Sequence, residues 1–92
     1  MQSTRLNVFD ALYVLEECKI IIRSLVGSGG LVTLFFSMSP IVPNDPSSGL
    51  EVNKDLESGA LAVLEACGYE LHLAGVDDSK AERWMTFRPI QG

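Results

Sequence analysis

His72 is the single histidine of this 92-residue chain, and Cys18 and Cys67 are its two cysteines. These are the side chains best suited to proton transfer or nucleophilic attack near neutral pH. One imidazole rules out paired-histidine zinc motifs. A Cys–His nucleophile would need a thiol in a polar, partly open pocket beside His72. Both cysteines fall on the apolar stripes of the helices described below, where cysteine acts as a small hydrophobe. They read as free structural thiols, and His72, opposite Tyr69, Leu71 and Leu73 in an alternating run, reads as a surface or interface residue.

Gly27-Ser28-Gly29-Gly30 follows a helical pattern and lacks the Gly-Lys-Ser/Thr ending of a phosphate loop, so it reads as a helix stop and a turn. Asp77, Asp78 and Glu82 lack the alternation and central glycine of a calcium hand and read as a solvated loop. No catalytic residue, metal or cofactor is therefore expected. Trp84, Thr86 and Arg88 share one face of a strand, and tryptophan and arginine are enriched where binding energy concentrates. The competing reading makes Trp84 a lid on the core with the arginines facing water.

The elements that would position these residues follow from periodicity. Asn7 is a helix N-cap with Asp10 behind it, and neither proline nor glycine occurs again until Gly27, so a helix is expected from about Val8 to Val26. Val8, Ala11, Leu15, Cys18, Ile22 and Leu25 form its core stripe, widened by Val14, Ile21 and Val26. Phe9, Leu12, Tyr13 and Ile20 make a second apolar side, which the rest of the chain covers or a partner does. Leu31 to Met38 alternates as a buried strand, with Val32, Leu34, Phe36 and Met38 inward, although a short apolar helix fits so brief a run. Residues 39–49, rich in proline, serine and asparagine, read as a surface loop.

Ser48 to Glu51 matches a capping box, so a second helix begins there or one turn later, at Asn53 or Asp55. Its stripe is Val52, Leu56, Ala60, Val63 and Cys67, and Gly68 ends it. Tyr69 to Ala74 and Arg83 to Arg88 read as strands, the latter on an edge because Pro89 lacks an N–H. The expected fold is α+β: two helices on one face of a small antiparallel or mixed three-stranded sheet, in the order α-β-α-β-β, as a single domain over residues 1–92.

Hydrophobic residues make up 47% of the chain and charged ones 21%, a globular balance. Seven basic residues against twelve acidic ones give a net charge of −5, which disfavours nucleic acid and anionic membranes. Met1 to Arg5 carry no leader pattern, and the apolar run from Leu31 to Phe36 is too short to span a bilayer, so a cytoplasmic, non-membrane protein is expected.

The stretch Val63 to Leu73 resembles the closing helix and strand of some small helix-turn-helix antitoxins and repressors. Upstream, the chain departs from that family by lacking a recognition helix, and no residue is carried over. The functional expectation is a non-catalytic protein-binding module, a regulator or inhibitor of the kind that phages and mobile elements carry. It would act as a homodimer through the first helix or the final strand, with Phe9, Tyr13, Ile20, Trp84, Thr86 and Arg88 as contact residues. A DNA-binding regulator is the alternative.

Overall fold

The computed structural model describes residues 7–90, so the leader reading of Met1 to Arg5 lies outside the described residues. Helix α1 spans Val8–Glu17, opened by Asn7, whose side chain accepts a hydrogen bond from the Phe9 N–H at 2.8 Å. It does not run on to Val26. Lys19 adopts φ 60°, its N–H donates to the Glu16 carbonyl at 3.0 Å, and the Ile20 N–H donates to the Leu15 carbonyl at 2.9 Å. This is a Schellman ending built on lysine where glycine is usual, and Ile20 folds back onto the core beside Leu15. The run Ile20-Ile21-Ile22 favours extended backbone over helix, which explains the early stop.

Because the helix ends early, Arg23–Val26 becomes strand β1 and hairpins into β2, Val32–Val42, through a turn in which Gly29 and Gly30 hold φ of 75° and 78°. The inward set Val32, Leu34 and Phe36 is buried as the alternation requires. Residues 39–49 are not an irregular loop. β2 continues through Pro40 to Val42 and turns at Pro43-Asn44, with Asn44 at φ 65°. It then pairs with β3, Asp45–Val52, in a register interrupted by an irregularity between Pro40 and Val42. Pro46 is tolerated because, among the described residues, β3 pairs only with β2. This hairpin is an arm, which fits the long axis of the molecule, 53 Å against 24 and 17 Å.

Asn53 caps helix α2, Lys54–Ala66, accepting from the N–H groups of Asp55 and Leu56, at the position one turn beyond the capping box. Strands β4, Tyr69–Asp77, and β5, Glu82–Pro89, then close the fold. The sheet is antiparallel and five-stranded, ordered β1-β2-β5-β4 with β3 attached to β2. The expected three-stranded sheet and α-β-α-β-β order are therefore wrong, and the observed order is α-β-β-β-α-β-β. Both missing strands lie in segments whose pattern predicts a helix end and a loop. β5 is not the expected edge strand either: it lies between β2 and β4, and Pro89 is tolerated because it is the last residue of the strand. Asp77 and Glu82, expected in a solvated loop, end β4 and begin β5.

The helices cover one face of the sheet. Leu12 and Leu15 from α1 and Ala60 and Leu64 from α2 meet Val32, Leu34, Phe36, Met85 and Phe87 in one core cluster. Ala11 and Leu15 are buried on the expected stripe, but Leu12 joins them while Val14 is exposed, so the buried face of α1 widens on the opposite flank from the one expected. Arg83, on the covered side of β5, donates through Nε to Glu57 of α2 at 2.9 Å and ties that helix to the sheet.

Replacing Lys19 by glycine should remove the left-handed strain at the helix end. The relief, about 1–2 kcal/mol, exceeds the backbone-entropy penalty of glycine, about 0.5–1 kcal/mol, so a net gain of about 0.5–1 kcal/mol is expected in urea unfolding. A destabilised variant would show that the lysine side chain contributes more than its backbone geometry costs.

Candidate functional site

Helices on one side leave the other side of the sheet bare among the described residues, and the strand registers fix what it displays. One row reads Arg23, Phe35, Trp84, Gly75 across β1, β2, β5 and β4. The next reads Leu25, Thr33, Thr86, Leu73. Glu82 sits beside Ser37 and Asp77, and Arg88 beside Glu70. Leu25 and Leu73 are 58% and 55% exposed, while Phe35, Thr33, Trp84 and Thr86 are half-buried among one another.

Leu73 reaches this face through a β-bulge. The register shifts between Leu71 and Leu73, so Leu71 opposes Phe87 on the covered side and Leu73 opposes Thr86 on the bare side. His72 is the extra residue and is exposed. Simple alternation from Tyr69 to Leu73 therefore fails at its last member.

Several side chains of the bare face are tied to one another. The Arg23 guanidinium grips Glu82 with two hydrogen bonds, of 2.9 and 3.0 Å, and lies 4.0 Å from the centroid of the Phe35 ring. The Arg23 hydrogen bonds hold the Glu82 carboxyl below the usual carboxylate range, and the same bonds raise the guanidinium pKa. The hydroxyls of Thr33 and Thr86 share a hydrogen bond of 2.8 Å at the centre. The Trp84 indole lies flat on Gly75: a Cβ there would come within 2.5 Å of Cζ2. Arg88 donates through Nε to Glu70 at 2.7 Å on the rim. At the hairpin end, hydrogen bonding from Ser79 lowers the Asp77 pKa and keeps that carboxylate charged.

Of the residues expected to make contacts, Trp84, Thr86 and Arg88 do lie together, on the bare face of β5. Trp84 is outside the buried core. Phe9 and Tyr13 are 62% and 65% exposed on α1, and Ile20 packs against the core in the turn that follows. Arg23, Leu25, Phe35, Leu73 and Gly75 join the face without having been singled out. Only Phe35 gave a signal in sequence, an aromatic on the otherwise mixed side of a strand.

The two thiols divide. Cys67 is buried at the end of α2, and burial pushes its pKa up, away from the thiolate that nucleophilic attack needs. Cys18 is exposed at the C-cap of α1, contrary to its expected place on a core stripe, because the helix stops before that stripe is complete. Among the described residues no group of three or more His, Cys, Asp or Glu is placed to hold a metal ion. Among the described residues no helix is long and apolar enough to cross a membrane.

Two measurements test this layer. Gly75→Ala should lift the indole off the sheet, changing the near-UV circular dichroism of Trp84 at a stability loss of about 1 kcal/mol, since the ring can move into solvent. An unchanged near-UV spectrum would mean that the ring does not rest on Gly75. Glu82 has a native pKa below its unfolded one, so the unfolded state takes up a proton first as pH falls. Its contribution is complete above the unfolded value, about 4.3, and drains away as pH drops through the native one. The wild-type Tm should be flat from pH 8 to about 5 and decline below about 4.3, whereas Glu82→Gln should start lower and decline less steeply. Parallel acid limbs in the two proteins would contradict that role for the pair.

In comparisons with known proteins, no family model matches the chain, and no curated protein or solved structure matches it significantly.

Proposed function

We propose that this chain is a non-catalytic, cytoplasmic protein-binding module, a regulator or inhibitor, whose contact surface is the bare face of the sheet around Trp84 and Phe35. The observation that carries the reading is that the aromatic pair is held flat and partly exposed by groups that also face outward. Arg23 and Glu82 fix one end, Gly75 admits the ring at the other, and the threonine pair fixes the middle. Rigid aromatics lose little side-chain freedom on binding, so an interface centred on them wastes little of its gross energy on ordering.

The face suits a neutral protein surface better than nucleic acid. Arg23 and Arg88 are the basic residues on it, and each is engaged by a carboxylate. A phosphate would have to displace Glu82 or Glu70 against the overall charge of −5. Phe9 and Tyr13 are a lesser candidate, with Asp10, Glu16 and Glu17 on the same short helix.

A photo-activated cross-linking residue at position 25 or 73, introduced in the protein's native cells, should give covalent protein adducts. The same residue at position 65 on exposed α2 should not. Adducts at 65 alone, or none at 25 and 73, would remove the bare face as the contact surface.

A further inference from the structure

The bare face has a left–right likeness in its residue types about a line that runs parallel to the strands, midway between β2 and β5. Thr33 lies across that line from Thr86, Phe35 from Trp84, and the outer Leu25 of β1 from the outer Leu73 of β4. A two-fold axis parallel to this line, set outside the face, turns one copy over onto another. A second copy rotated about such an axis and laid face to face would bring threonine onto threonine, phenylalanine onto tryptophan and leucine onto leucine. We infer that the occupant of this face is a second copy of the chain, docked sheet to sheet as an aligned β-sandwich about this axis. The inference rests on the contact-surface reading above and adds the partner and its register.

Three further observations support a second copy. The first is charge: two molecules that each carry −5 repel unless the surfaces that meet are nearly neutral. Here Arg23 and Glu82 neutralise each other, as do Arg88 and Glu70, which leaves Asp77 at the hairpin end, with Lys80 near it, as the one further carboxylate of the face among the described residues, while Asp10, Glu16, Glu17, Asp55 and Glu65 lie on the helix layer. The second is register. The axis sets Arg23 of one copy opposite Gly75 of the other, so neither guanidinium meets its own counterpart.

The third is size. Four strands at about 4.8 Å and seven residues at about 3.3 Å give a face of about 20 by 23 Å, so two of them bury on the order of 1,000 Å² in total. That is the low end for a specific interface, and it sets the expectation of a reversible dimer in the micromolar range rather than an obligate one. Sheets packed this way lie about 10 Å apart, with strand directions within about 30° of each other.

Sedimentation velocity from low to high micromolar concentration should show a monomer–dimer equilibrium, with Trp84 emission shifting to the blue as dimer forms. Thr86→Arg places two guanidinium groups at the centre and should abolish the dimer. Should that variant lose its fold by far-UV circular dichroism, Leu73→Lys at a well-exposed position should still weaken association at least tenfold. Phe9→Glu with Tyr13→Glu should leave association as in the wild type.

The register is tested in a Cys18→Ser background by mixing Leu25→Cys and Leu73→Cys proteins of different tag size with a bis-maleimide matched to the sheet spacing. Cross-links should join unlike variants and not like ones. A strict monomer at high micromolar concentration, a dimer indifferent to Leu73→Lys, or cross-links only between like variants would each overturn the inference. A strict monomer that still gives photo-adducts at 25 and 73 in cells removes the second copy alone; no dimer and no adducts removes the contact surface as well.

Discussion

Three of the other four strands hydrogen-bond to β2, and its two-residue alternation decides what both sides of the sheet become. Val32, Leu34 and Phe36 point into the helices and are essentially inaccessible, which forces Thr33 and Phe35 onto the opposite side. A slip of one residue would exchange the two sets and place a threonine hydroxyl in the core. The Thr33–Thr86 hydrogen bond, the Arg23–Phe35 stacking and the seat of Trp84 on Gly75 all depend on that register being kept. The core and the candidate contact surface are therefore two consequences of one pairing pattern.

Among the described residues the two helices cover only one side of the sheet. The chain's apolar side chains are already divided between a single core cluster and the outer face, and the arm formed by β2 and β3 stretches the molecule instead of wrapping it. The exposed side is consequently held by polar ties between half-buried groups, and these do two things at once. They satisfy the charged and hydroxyl groups that flank the aromatics, and they remove the rotamer freedom that a partner would otherwise have to quench.

Where side-chain period and turn chemistry agreed, the elements could be read directly from sequence: the N-caps Asn7 and Asn53, the stop at Gly68, the inward set of β2 and the strand carrying Trp84. The misreadings have local causes. Lys19 takes a left-handed conformation that few lysines adopt, so neither a glycine nor a proline marked the end of α1, and β1 was hidden inside an apparently continuous helix. Prolines at 40, 43 and 46 resemble loop punctuation, yet the arm they sit in pairs on one side only, where a missing N–H costs little. With β1 hidden, Arg23 and Leu25 could not be placed beside Phe35, and the candidate contact surface showed only its β5 portion.

The free edges of this sheet point the same way as its bare face. β1 is four residues long, β3 carries Pro46, and β4 is broken by the bulge at His72, so among the described residues each of the three outer strands has a feature that blunts strand addition. The bulge does more than interrupt pairing. By inserting His72 it moves Leu73 from the helix side to the bare side, opposite Thr86, where it balances Leu25 across the sheet. One extra residue thus interrupts the β4 edge and at the same time completes the apolar row of the face. On the proposed reading, that combination would favour flat, sheet-on-sheet contact over edge-on growth into longer sheets.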